Sequence, residues 1–128
     1  WDWAIFPEGL YEGMKRIRER YGDIPIMITE NGLGDKDPIG ENGEILDYPR
    51  IEYLREHIRW CQRAIDDGVN LIGYFAWSFI DLLSWLNGYQ KQYGFVYVDR
   101  QKGLKRIKKQ SYFWYQKLIQ TNGEELQG

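Results

Sequence analysis

A short apolar segment that ends in a carboxylate constrains this chain most. Residues 26–32 read IMITENG, so three apolar residues precede Thr29 and Glu30, and Pro25 comes before them. This pattern is typical of a strand buried on both faces, as in a parallel sheet. A carboxylate at the end of such a strand lies at the carboxyl edge of the sheet, where α/β folds place their chemistry. Glu30 is therefore the first candidate catalytic residue, although a residue that only caps the next loop would show the same pattern.

A second apolar segment, NLIGYFAWS at residues 70–78, has the same character. Between the two segments, Asp47 and Pro49 predict the start of an amphipathic helix. Its predicted buried stripe is Ile51, Leu54, Ile58, Cys61 and Ile65. Two buried strands joined by a helix form a right-handed βαβ unit with parallel strands. We therefore expect Glu30 and Trp77 at the same edge of the sheet.

The remaining segments predict two more helices and two long loops. Pro7 begins a first helix that ends at Gly22, and a last helix is expected at about 110–120. Residues 31–48 and 78–93 are predicted loops, and residues 94–99 a short strand or extended segment. The first helix places Leu10, Met14, Ile17 and Tyr21 on one face, and the last is expected to bury Phe113, Leu118 and Ile119.

Length and charge limit the class of protein. The chain has 128 residues, enough for one domain, and a net charge of −2, which favours neither nucleic acid nor a membrane surface as partner. No apolar run approaches the ~20 residues that a bilayer span needs. The single cysteine excludes an internal disulfide, so a reducing cytoplasm is the simplest compartment. The abrupt start at Trp1 suggests an internal cut in a longer protein.

Several reactive residue types carry no predicted chemistry. Cys61 lies in the helical stripe, which favours packing over a nucleophilic role. His57, the only histidine, has no evident acid or serine partner, and no metal ligands or cofactor are predicted. The basic residues Lys102, Lys105, Arg106, Lys108 and Lys109 predict a solvated turn. The 6 Trp, 10 Tyr and 5 Phe suit a sugar or nucleotide site as well as a core.

The sequence resembles glycoside hydrolase family one, the (β/α)₈-barrel β-glycosidases. Residues 28–32 (ITENG) match the nucleophile motif of that family, and residues 74–78 (YFAWS) match its eighth strand. The opening WDW, PEGL at 7–10, YGF at 93–95 and SYFWY at 111–115 also look like this family. The resemblance implies an α/β fragment, residues 1–128, that holds the last two βα units, with strand seven at about 25–30 and strand eight at about 70–77. It also implies that Glu30 is the nucleophile and that Trp77 forms the floor under the sugar.

The loop after residue 78 resembles the 6-phospho-β-glycosidases within that family. Where ordinary β-glucosidases carry Glu-Trp, this chain has Ser84 and Trp85, followed by Lys91 and Tyr93. A carboxylate would repel a phosphate, whereas hydroxyl, ammonium and phenol groups all donate hydrogen bonds to an anion. Trp85 and the opening WDW resemble the 6-phospho-β-galactosidases, which favours the galacto over the gluco sugar.

The implied function is retaining hydrolysis of a phosphorylated disaccharide or aryl glycoside, without a cofactor. The family carries its acid/base residue in an Asn-Glu-Pro motif, and the 128 residues contain none. A whole barrel needs ~250 residues. We therefore expect that the rest of the barrel completes the site and that the 128 residues alone are inactive.

Two other classes remain open on the sequence. A carbohydrate-binding module would explain the aromatic residues but needs no acid at the end of a buried strand. A phosphosugar-sensing or structural α/β fragment would keep Ser84, Lys91 and Tyr93 without hydrolysis. Glycosides with and without a 6-phosphate, offered to the full-length protein, would separate these classes.

Overall fold

The computed structural model describes residues 3–127, apart from the side chains of Glu125 and Gln127. The elements in chain order are helix α1 (Pro7–Tyr21), strand β1 (Ile26–Asn31), helix α2 (Tyr48–Asp66), strand β2 (Leu71–Ala76), strand β3 (Val96–Asp99), strand β4 (Lys105–Lys108), helix α3 (Gln110–Gln120) and a 3-10 turn at Glu124–Gln127. Trp1 and Asp2, which carry part of the predicted resemblance, lie outside the described residues.

The predicted βαβ unit is confirmed. Strands β1 and β2 pair in parallel, and the connection between them contains α2. Gly68 has a φ of +87° just after α2, in the left-handed region that favours glycine. Because the pairing is parallel, the carboxyl ends of both strands lie at one edge.

Helices α1 and α2 cover one face of this strand pair. Tyr11 and Met14 from α1 form a cluster with Ile28 from β1 and with Cys61 and Ala64 from α2. A second cluster joins α2 to α3 and the 3-10 turn, and consists of Ile51, Leu54, Phe95, Trp114, Leu118 and Leu126.

The opposite face of the strand pair is exposed in this chain. Met27, Ile72 and Phe75 are 48%, 59% and 55% exposed. Ile26 lies opposite Leu71 and Met27 opposite Gly73, so Ile72 is an extra residue on β2, and this bulge lets it share a face with Phe75. The expectation that β1 is buried on both faces is therefore wrong for these 128 residues, which supply helices for one face alone.

Some predicted core positions are also wrong. Ile17 and Tyr21 of α1, Ile65 of α2, and Phe113 and Ile119 of α3 are all at least 39% exposed. In α3 the buried residues are Ser111, Trp114 and Leu118, spaced by three and four. Helical periodicity then turns Phe113 and Ile119 away from that stripe.

The predicted basic turn forms a β-hairpin instead. β4 pairs antiparallel with β3, with Tyr97 opposite Ile107. The chain reverses through Gly103 and Leu104, which both have a φ of +62°. The expected extended segment at residues 94–99 therefore includes one strand of this hairpin.

We predict that the 128-residue chain self-associates, because each strand of the β1–β2 pair has an unpaired edge beside an exposed apolar face. Its sedimentation coefficient should rise with protein concentration. Replacing Ile72 and Phe75 together by lysine should reduce this rise. Ile119→Lys, a comparably exposed isoleucine on α3, is the control and should leave it unchanged. A constant coefficient for the unmodified chain would contradict the prediction.

Candidate active site

The register of the two strands shows an extra residue beside Glu30. Ile28 lies opposite Tyr74 and Asn31 opposite Ala76, so three steps on β1 match two steps on β2. Ile28 is buried in the helix-facing core, and Asn31 Oδ1 accepts a hydrogen bond of 2.6 Å from the Tyr74 hydroxyl. In a regular strand, residues three apart point to opposite faces. The bulge keeps both on the helix-facing side and leaves Glu30 exposed between them.

The carboxyl ends of β1 and β2 touch through their backbones. The Trp77 N–H donates a 2.7 Å hydrogen bond to the Asn31 carbonyl. A Cβ on Gly32 would lie 1.6 Å from the Trp77 carbonyl oxygen, so a larger residue does not fit at this position. The peptide bond between Trp77 and Ser78 is cis, and the Trp77 side chain is 41% exposed. Glu30 therefore directly precedes Asn31 and Gly32, the two residues whose backbone contacts Trp77.

Tyr93 lies beside this junction. Its carbonyl accepts a 2.9 Å hydrogen bond from the Ser78 N–H. Its ring packs on Gly34, where an added Cβ would lie 2.4 Å from the Tyr93 Cε1 atom. Tyr93 is therefore next to both the segment after Glu30 and the segment after Trp77.

Ser84 is linked to Tyr93 through Asn87. The Asn87 N–H donates to Ser84 Oγ at 3.2 Å, and Asn87 Nδ2 donates to the Tyr93 phenol oxygen at 3.1 Å. Backbone hydrogen bonds in both directions between Ser84 and Gly88 close this turn. The sequence pattern did not include Asn87, and the structure assigns it the connection between two of the predicted binding residues.

The same loop carries two more predicted binding residues, Trp85 and Lys91. Lys91 is buried and lines a cavity of about 490 Å³ together with Asp81, Tyr97 and Arg100. Trp85 is fully exposed at the tip of the loop. Among the described contacts, Ser84 and Tyr93 share a hydrogen-bonded network through Asn87.

Sequence reasoning missed a buried cluster of charges behind the loops. It contains Asp37, Asp47, Arg50, Asp81 and Lys109, and the expectation that Lys109 is solvated is wrong, since it is fully buried. Burial alone would lower the pKa of Arg50, but the charges and hydrogen bonds of Asp37 and Asp47 outweigh it and raise that pKa.

Asp47 precedes α2, as predicted, yet its side chain binds Arg50 and Ser111. Arg50 falls in phase with the buried positions 54, 57 and 61, which was the available signal.

The single histidine, His57, and the single cysteine, Cys61, are both buried. His57 Nδ1 lies 2.7 Å from the Tyr53 carbonyl, the two rings stack, and burial lowers the pKa of His57. Cys61 belongs to the core, and burial raises its pKa to about 12. A thiol with that pKa stays protonated at neutral pH and is a poor nucleophile.

Two further arrangements are absent from residues 3–127. No group of three or more His, Cys, Asp or Glu side chains in this range could hold a metal ion. No helix in the same range is both long enough and apolar enough to cross a bilayer.

Comparison with protein families decides the assignment. The model of Glycosyl hydrolase family 1 matches residues 1–124. The chain belongs to this family. The predicted resemblance is therefore confirmed.

Individual family 1 relatives are similar over nearly the whole chain. An aryl-phospho-β-D-glucosidase, BglC, of Bacillus subtilis (strain 168) is 58% identical over 98% of the chain. A 6-phospho-β-galactosidase of Leptotrichia buccalis is 47% identical over 94% of it. A 1,4-β-D-glucan glucohydrolase of Thermotoga neapolitana is also 47% identical, over 94%. The chain spans about a quarter of these relatives, 26% to 27% of their length.

A solved structure supports the same fold. The family 1 β-glucosidase from Thermotoga maritima, in complex with isofagomine lactam, superimposes with a TM-score of 0.90 at 44% identity, covering 94% of this chain and 27% of the other. The predicted fold class, the last two βα units of a (β/α)₈ barrel, is confirmed.

We predict that Gly32→Ala destabilises the full-length family 1 protein, because its methyl group would overlap the Trp77 carbonyl. Overpacking of this kind costs about 1–3 kcal/mol or more in the free energy of unfolding, and urea unfolding would measure it. Gly13→Ala is the matched control, since a Cβ there meets no atom within 4 Å and Ala favours a helix. Equal stability of the two variants would contradict the close approach.

Proposed function

We propose that the full-length protein hydrolyses 6-phospho-β-glycosides with retention of configuration and releases a sugar 6-phosphate. The observation that carries the proposal is the link from Ser84 through Asn87 to Tyr93, beside the junction of Glu30 and Trp77. The names of the relatives from Bacillus subtilis and Leptotrichia buccalis also support a phosphorylated substrate.

Glu30 is proposed as the nucleophile. Retaining glycosidases use two carboxyl groups ~5–5.5 Å apart. The Glu30 carboxylate would attack the anomeric carbon while a second carboxyl group protonates the leaving glycosidic oxygen, which breaks the bond to the aglycone. Water then attacks the glycosyl ester, gives its proton to the second group and frees Glu30. The 128 residues contain no Asn-Glu-Pro motif, so the second carboxyl group is expected elsewhere in the full-length protein.

The remaining proposed residues bind the sugar and its phosphate. The exposed Trp77 indole offers a flat apolar surface on which a sugar ring can stack. Ser84, Lys91 and Tyr93 offer a hydroxyl, an ammonium and a phenol, and a phosphate ester with a charge of about −1.5 to −2 binds such donors well. Anchoring the 6-phosphate would help to hold the anomeric carbon against Glu30, so that remote binding energy supports the chemical step.

The supporting observations disagree on whether the sugar is a galactoside or a glucoside. Trp85 favours the galacto epimer, as the sequence predicts, whereas the 58% identical relative is named a glucosidase. A phosphorylated substrate is common to both names, so the proposal covers 6-phospho-β-glycosides as a class, either aryl glycosides or disaccharides. Comparing kcat/KM for the galacto and gluco epimers of one chromogenic substrate, which differ in the orientation of O4, would show which epimer the enzyme prefers.

The cytoplasm is the proposed compartment. A doubly charged sugar phosphate does not cross a bilayer unaided, because transfer of a charge into hydrocarbon is very costly. The single cysteine is buried and free, which agrees with a reducing environment.

We predict that Glu30→Gln lowers kcat of the full-length enzyme by several orders of magnitude, because the amide cannot form the glycosyl ester. Hydrolysis of a chromogenic 6-phospho-β-glycoside would measure this. The 128-residue chain alone should show no turnover. A full-length Glu30→Gln variant with more than about a tenth of the original kcat would overturn the assigned role.

We further predict that Ser84→Glu reverses the preference for phosphorylated substrates, because a carboxylate would repel the phosphate. The measurement is kcat/KM for one glycoside with and without a 6-phosphate. Ser84→Gln is the matched control, since it has nearly the size of glutamate and introduces no charge. If the unmodified enzyme hydrolyses both forms equally well, the proposed specificity for phosphorylated substrates is contradicted.

A further inference from the structure

Buried charges connect the two loops that follow β1 and β2. Lys109 Nζ lies 2.6 Å from Asp37 Oδ2 and 2.7 Å from Asp81 Oδ1, and Arg50 Nη1 lies 2.7 Å from Asp37 Oδ2. The four side chains are at most 9% exposed. Asp37 belongs to the loop after β1 and Asp81 to the loop after β2, so one ammonium group holds both loops.

Asp81 holds the backbone at Tyr93. Its Oδ1 atom accepts hydrogen bonds from the Tyr93 N–H at 3.1 Å and from the Gly94 N–H at 2.8 Å. The two segments are in direct contact, because a Cβ on Gly94 would lie 2.3 Å from the carbonyl carbon of Ile80. The position of Tyr93 therefore depends on the same oxygen atom that binds Lys109.

Asp37 and Arg50 of the same cluster hold Gln92 in place. Its side-chain oxygen accepts a 2.9 Å hydrogen bond from the Asp37 N–H, and its carbonyl accepts one of 2.8 Å from Arg50 Nη2. Gln92 separates Lys91 from Tyr93. The buried charges thus fix the main chain between two of the residues proposed to bind the phosphate.

We propose that Asp81 and Lys109 are positioning residues for phosphate recognition. This inference rests on the proposed function and names the residues on which its substrate specificity depends. The two residues act by placing Tyr93 and, through Gln92, Lys91. Glu30 and Trp77 are held together by the backbone pairing of β1 and β2, which does not involve Asp81. Loss of the cluster should therefore affect phosphorylated substrates more than unphosphorylated ones.

The test compares Asp81→Ala with Asp81→Asn in the full-length enzyme. Asparagine keeps an oxygen that can accept the two N–H groups, whereas alanine does not. For one chromogenic β-glycoside with and without a 6-phosphate, the ratio of the two kcat/KM values should fall about ten- to a hundredfold in Asp81→Ala, mainly through KM. In Asp81→Asn it should fall by less than about threefold. Glu52→Gln, which neutralises an exposed partner of Arg55, is the control and should leave the ratio unchanged.

A ratio in Asp81→Ala within about twofold of the unmodified enzyme would overturn the inference, as would an equal loss of activity on both substrates. Failure of Asp81→Asn to preserve the ratio would also contradict it. If Asp81→Ala does not fold, Lys109→Gln is measured in its place, and the same ratio decides. An unmodified enzyme that does not prefer the phosphorylated substrate would contradict the proposed function itself. A preference that survives in the variants would contradict only the role of the cluster.

Discussion

The arrangement of this chain depends on the contact between the carboxyl ends of its two parallel strands. The hydrogen bond from the Trp77 N–H to the Asn31 carbonyl and the close approach of Gly32 to the Trp77 carbonyl join the strand ends. The bulge at residues 28–31 then leaves Glu30 exposed, while its neighbours remain attached to the helix-facing core. The loops that follow start from this junction, so their side chains gather at one edge of the sheet.

Buried charges hold those loops where apolar packing does not reach. Arg50 and Lys109 face three carboxyl groups, those of Asp37, Asp47 and Asp81. Removing these charges from water costs several kcal/mol per ion, so the cluster is weak evidence for stability. Its hydrogen bonds to backbone groups of residues 92–94 and to Ser111 instead define the conformation of the loops. Such directional bonds give one loop arrangement where an apolar contact would allow several.

The elements that could be predicted from sequence are those with a clear apolar period. The runs at residues 26–28 and 71–76 predict the paired strands, and the stripe through Leu54 and Cys61 predicts α2. Phe113 was misassigned because an aromatic residue near the stripe is easily counted as part of it. β4 was missed because its four residues, KRIK, carry three cations and only one apolar residue.

The site was less predictable than the strands. The positions after each strand could be predicted, since parallel strands end at the same edge. The connection from Ser84 to Tyr93 depends on Asn87, and the burial of Lys109 depends on carboxylates 72 and 28 residues away in sequence. Spacing patterns report local periodicity, and they contain no information on which distant charges meet in the folded chain.

Covalent trapping would test whether Glu30 is the nucleophile. A 2-deoxy-2-fluoro-6-phospho-β-glycoside with a good leaving group destabilises the oxocarbenium-like transition states, so the glycosyl ester should accumulate on the full-length protein if it has the proposed activity. Proteolysis and mass spectrometry would locate the sugar. We expect one sugar phosphate per chain, attached to Glu30 in the peptide that contains residues 26–32. A label on any other carboxylate, with Glu30 unmodified, would contradict this role.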